Sequence, residues 1–133
     1  MIGLDTNVLV RYFTEDDSTQ ARLAARLIEN RLTSDAPGYV SCIVLVELVW
    51  VLLRSYQAPR ATIVEIIEGL LASPHIVIEH KSVARRALQV YRDSGGDFAD
   101  SLIAQLNLDA GCESTITFDR AAAKLSGFRL LHT

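Results

Sequence analysis

Apolar residues recur along this chain in two rhythms. Over residues 17–32 they fall at helical spacing (Ala21, Ala24, Ala25, Leu27, Ile28 and Leu32), with Arg22 and Arg26 stacked on the opposite side. Ile63, Ile66, Ile67, Leu70 and Leu71 form a second stripe, predicting a helix that stops near Pro74. A basic amphipathic helix over about residues 82–92 ends at Gly95 and Gly96, and "DFADSLIAQLNLDAG" predicts a helix with acids in its first turn and a glycine at its end. Between these stripes lie runs of strand length. "MIGLD" reads as a buried strand, followed by a helix in "TNVLVRYF" with Thr6 or Asn7 as cap and a turn in "TEDDST". Pro37 and Gly38 break the next helix, and "YVS", "HIVIE", "STITFD" and "FRLLH" read as further strands, the last two flanking a short helix in "RAAAKL". Strands alternating with helices imply parallel pairing through crossovers, with helices on both faces of a small sheet. The predicted class is α/β.

With 133 residues, half of them hydrophobic, and no linker, repeat or low-complexity tract, the chain is expected to form one domain over residues 1–133. Its longest apolar runs fall short of the ~20 residues that span a bilayer. The start "MIGLDTN" lacks the charged end and long apolar centre of a signal peptide. A cytoplasmic protein with no membrane partner is expected. Cys42 and Cys112 are too few and too far apart for a disulfide framework or a zinc site, and both read as core thiols. A formal charge of −3 gives no global attraction to nucleic acid, although local fields can oppose the net sign.

One apolar stretch carries an anomaly. In "CIVLVELVWVLL" the carboxylate Glu47 has Ile43, Val44, Trp50 and Val51 as its helical neighbours and no cation within one turn. A charge on a buried apolar face is tolerated when it is paired, neutralised or metal-bound; otherwise Glu47 sits at the rim with its head group in water. Other acids bear on the choice. Asp5 and Asp119 each close a predicted strand, and ligands of open α/β sheets bind at the carboxyl ends of strands. Asp97 and Asp100 stand three positions apart at a helix start. Singly, Asp5 and Asp119 read equally well as strand-end caps, Asp97 as a helix N-cap and Asp100 as a solvated first-turn acid. Together they would repel one another unless a cation compensated. Oxygen ligands without His or Cys suit magnesium or manganese rather than zinc. Such a site supports metal-assisted hydrolysis of a phosphodiester. Arg11, Arg120 and Lys124 are the candidate phosphate contacts, arginine matching phosphate bidentately, whereas Arg22, Arg26, Arg85 and Arg86 read as surface residues. Tyr12, Phe13, Tyr56 and Phe98 are candidates to stack on unpaired bases, although most of them read as core.

The segments "MIGLDTNVLVRYF", "SCIVLVELVWVL", "DFADSLIAQLN" and "TITFDRAAAKLSGFRLL" resemble, in order and spacing, the four acidic motifs of PIN-domain ribonucleases, especially VapC-type toxins of bacterial toxin–antitoxin pairs. The resemblance covers nearly the whole chain. It implies an acidic quartet of Asp5, Glu47, Asp100 and Asp119, with Asp97 as an additional or alternative metal ligand; "DSLIA" fits the third motif best at Asp100. Thr6, Asn7 and Thr117 are implied as supporting groups that orient carboxylates and water. It further implies a three-layer α/β/α sandwich, magnesium or manganese as cofactor, and RNA cleaved to 5′-phosphate and 3′-hydroxyl ends. Homodimers are implied too, silenced by a cognate antitoxin whose tail covers the site.

Other readings fit less well. Phosphotransferases of the haloacid dehalogenase type need a second Asp two positions after the first, where this chain has Asn7. A receiver domain needs an early acid pair, and Asp16 and Asp17 lie in a turn. A catalytically silent module whose acids grip a basic protein tail remains as the alternative, and turnover separates it from the nuclease.

Overall fold

Where the apolar stripes are regular, helices form as their spacing predicts, and the strands between them pair in parallel. The computed structural model describes residues 1–132. The chain divides into two compact units, Met1–Lys81 and Ser82–Thr133.

The first unit runs β1 (Ile2–Gly3), α1 (Thr6–Thr14), α2 (Ser18–Ala25), β2 (Gly38–Val40), α3 (Cys42–Tyr56), α4 (Arg60–Ala72) and β3 (Ile76–Ile78). Its three strands lie in the order β1-β2-β3, all parallel, with Ile2 opposite Gly38 and Gly38 opposite Ile76. Parallel neighbours cannot be joined by a tight hairpin, and each crossover here is a pair of helices. The stripe predicted as one helix over 17–32 forms α2 and then a wider π-helical turn, Arg26–Arg31, whose end is marked by Leu32 N–H donating to Leu27 O. Asp17 caps α2 by accepting from Gln20 N–H at 2.9 Å.

Gly38 opens β2 rather than only breaking the preceding helix. A β-carbon there would stand 2.9 Å from both Leu32 Cδ1 and Leu4 Cδ1, so the close approach of these two buried leucines requires glycine. β1 differs from the buried strand expected: Ile2 is exposed and only Leu4, just past its end, is buried. The strand is two residues long and lies at the edge of this three-stranded sheet.

The second unit runs α5 (Lys81–Ser94), α6 (Phe98–Asp109), β4 (Thr115–Thr117), a 3-10 turn (Ala122–Lys124) and β5 (Phe128–Leu130). β4 and β5 pair in parallel, Thr115 opposite Phe128. Gly95 ends α5 in the left-handed region (φ 76°), where a side chain would be strained. Arg85 and Arg86 are exposed as predicted, Arg86 lying 3.6 Å from Asp109. Tyr91 and Phe98 are fully buried and meet edge to face at 5.6 Å.

The α/β class with short parallel strands is therefore what the alternation predicts. Among the described residues no helix is long and apolar enough to cross a membrane. The two cysteines part company. Cys42 is buried at the start of α3, its Sγ 3.4 Å from Glu79 O, whereas Cys112 is exposed. It follows Gly111, which turns the chain with φ 98° beyond α6. An apolar neighbourhood in sequence does not bury a residue in a turn.

Candidate functional site

In the first unit the candidate residues start where β1 gives way to α1. Asp5 occupies the N-cap position of α1, one residue earlier than the Thr6 or Asn7 predicted, and its backbone oxygen accepts from Val8 N–H at 3.1 Å. An N-cap aspartate ordinarily accepts a backbone N–H with its side chain. Asp5 makes no such bond, and its exposed carboxylate is left unused by the helix.

Thr6 is buried, and its Oγ1 donates to Glu47 Oε1 at 2.7 Å. Glu47 does not sit on the buried face of its helix. That face of α3 is Cys42, Leu45, Leu48, Val49 and Leu52, while Glu47 lies on the opposite side with the exposed Ile43 and Trp50. Solvent and the Thr6 hydroxyl account for the charge without a metal. Asp5, Thr6, Asn7, Val46, Glu47, Trp50 and Val51 line an open concavity of about 540 Å³.

The second unit holds the other acids. Asp97 is the N-cap of α6, as read from sequence, and its Oδ1 accepts from Asp100 N–H at 2.9 Å. Its backbone oxygen takes the hydroxyl of the fully buried Ser101 at 3.0 Å, which fixes the turn. Asp100 is half-buried. Its carboxyl is raised from the ordinary aspartate value, first by burial and then by the charges of Asp97 and Asp119. Asp119 is exposed and uses Oδ1 to accept from Ala121 N–H at 2.8 Å and Ala122 N–H at 3.3 Å, capping the 3-10 turn. Thr117 acts on the backbone rather than on a carboxylate: its Oγ1 accepts from Asp119 N–H at 3.0 Å. Arg120 and Lys124 are exposed next to this acid in sequence, as is the aromatic ring of Phe118.

Two groups of candidates already have partners in the fold. Arg11 is already engaged, its Nε donating to Gln20 Oε1 at 2.8 Å and its guanidinium 3.7 Å from Asp16. It lines a separate groove of about 310 Å³ with Val8, Gln20, Leu23, Ala24 and Leu27 on α1, α2 and the turn that follows, a groove that Asn7 also borders. The aromatic candidates are committed elsewhere: Phe98 is buried, Tyr12 donates to Glu29 and packs on Phe13, and Tyr56 donates to Asp16. The sequence reading missed Trp50. Its position three residues after Glu47, on the same helical face, was the available signal.

The donor set tests the implied cation. All five acids offer hard oxygen, and Asp100 is held among like charges that a cation would relieve. Among the described residues no three such groups already stand together as a metal cluster. Magnesium keeps several of its waters and takes one or two carboxylates directly, so the carboxylate chemistry fits without a closed protein cage.

The sequence model of the PIN domain matches residues 2–127 of the chain. The chain belongs to the PIN domain family. This PIN domain is also similar to a VapC ribonuclease of Aquifex aeolicus (strain VF5), with 26% identity over 129 residues, covering 97% of this chain and 94% of the relative.

Proposed function

We propose that this PIN domain is a divalent-metal-dependent endoribonuclease and the toxin of a toxin–antitoxin pair. The observation that carries the reading is Asp100, a half-buried carboxylate beside Asp97 on the same helix start, with the charges of Asp97 and Asp119 acting on it. Family membership and the likeness to a VapC ribonuclease support it.

In this reading Asp5, Asp100 and Asp119 would hold magnesium or manganese, with Asp97 as a further ligand. Held there, such a cation would supply a lowered pKa for a bound water and charge neutralisation at the phosphoryl oxygens. Glu47, pinned through Oε1 by Thr6, keeps Oε2 to accept a proton from the attacking water. Asn7 presents an amide to the same concavity and orients the phosphodiester. Asp119 is pre-positioned by its own backbone bonds and by Thr117, and Arg120 and Lys124 meet the phosphates. Arg11, held by Gln20 and Asp16, contributes only if it exchanges those partners for phosphate. The protein acts in the cytoplasm as a homodimer, and its antitoxin silences it by covering the acids with a basic tail.

The alternative is a silent module whose exposed acids grip a basic protein tail; Asp5 leaves its carboxylate unused by its helix and open to such a partner. Cleavage of a mixed structured RNA by the antitoxin-free protein, with and without magnesium or manganese, separates the two. We expect metal-dependent cutting by the wild type that Asp5→Asn abolishes. Binding of basic peptides without turnover under any metal would establish the module instead.

A further inference from the structure

Trp50 is the chain's only tryptophan, and 57% of it is exposed. It follows Glu47 by three residues, about 4.5 Å along the axis of α3. Its indole lines the same concavity as Asp5, Asn7 and Glu47, and the guanidinium of Arg54 stands over the ring, 5.8 Å from its centroid. The lining combines two characters. Carboxylates and an amide (Asp5, Glu47 and Asn7) share it with the apolar Val46, Trp50 and Val51, and Arg54 lies against the indole.

A nucleotide combines the same two, a charged phosphate joined to a flat base with an apolar face. We propose that Trp50 is a stacking platform for an unpaired base of the RNA substrate beside the bond that is cut, a proposal that rests on the ribonuclease reading above. Base–indole stacking is tolerant of base identity, because every base has a π-face, and an arginine against the same ring adds a cation–π contribution and a phosphate partner. A second copy of the chain fits this surface less well. Symmetric burial of the patch would take the exposed Asp5 and Glu47 of both copies out of water against one another, which is costly for charge.

The single indole makes the test direct. Tryptophan fluorescence is followed while an oligoadenylate, or an abasic ribose-phosphate oligomer of equal length, is added to the full-length protein in EDTA, where no cleavage occurs. Cleavage kinetics with magnesium or manganese are measured in parallel. We expect saturable quenching by the base-bearing oligomer alone. Trp50→Ala should weaken binding about tenfold or more, raise KM more than it lowers kcat, and leave the circular dichroism unchanged; Trp50→Phe should recover part of the loss. Equal quenching by the abasic oligomer, no quenching at all, or a Trp50→Ala variant with wild-type binding and KM overturns the proposal even if metal-dependent cleavage proceeds. An indole signal that shifts with protein concentration in the absence of RNA, together with a loss of mass in the Ala variant, assigns the face to a second copy and also overturns it. Quenching that follows the bases in a protein that cuts no RNA with any metal upholds the stacking and removes the nuclease reading.

Discussion

Thr6 has a more specific task than its place in the first motif indicates. Its buried hydroxyl fixes one oxygen of Glu47 at 2.7 Å, across 41 residues of sequence. Thr6→Val keeps the shape and removes the donor. Because the partner freed is exposed, folding should change by less than about 1 kcal/mol. Cleavage should nonetheless fall roughly 10- to 100-fold, the usual cost of losing a group that orients an active-site ligand. Single-turnover rates compared with thermal melts check both halves, and a Val variant that cuts at the wild-type rate would show that Glu47 needs no such hold. The sequence pointed to the acids but not to their states. Asp5 and Asp119 both end strands and looked alike, yet one leaves its carboxylate unused and the other caps a turn. That difference lies in local backbone geometry. The side of the helix that carries Glu47 stayed open in the sequence because α3 is apolar on its exposed side as well, through Ile43, Trp50 and Leu53, which blurs the helical period.

At the scale of elements, helices were legible and strand edges were not. The predicted N-cap at Asp97 and the stop at Gly95 are local devices, and both are found. The strands are only two or three residues long, too short for a repeating pattern to fix their ends. β2 begins at Gly38 because of contacts from Leu4 and Leu32, which come from elsewhere in the chain. Gly38→Ala forces those two leucine tips to move within a filled core, and we expect a loss of about 1–3 kcal/mol. A urea titration should show a lower midpoint with an unchanged slope. An unaltered midpoint would mean that Leu4 and Leu32 yield freely.

For the molecule as a whole, Asp100 links folding to pH. Its carboxyl titrates above the reference 3.8 in the folded protein, so the native state holds that proton more tightly than the unfolded chain does. The stability it contributes is present below the unfolded value and is lost as pH rises through the raised one. Metal-free Asp100→Asn should escape that loss and be more stable than wild type at neutral pH by up to about 1 kcal/mol, with the gap closing as the solution is acidified. Melts in EDTA across the acid range test this, and a gap independent of pH would refute it.

The two cysteines differ in a way that serves experiment. Burial, and then Glu79 beside it, push the Cys42 thiol up to about 11, so hardly any of it is thiolate near neutrality. Cys112 stands in solvent. A maleimide dye at pH 7 should therefore attach once per folded chain, and at Cys112, with the second equivalent entering only on denaturation; intact mass spectrometry before and after guanidinium reads the count. The native sequence thus carries a ready attachment point for a fluorescent or paramagnetic reporter at the turn after α6, with no engineered cysteine.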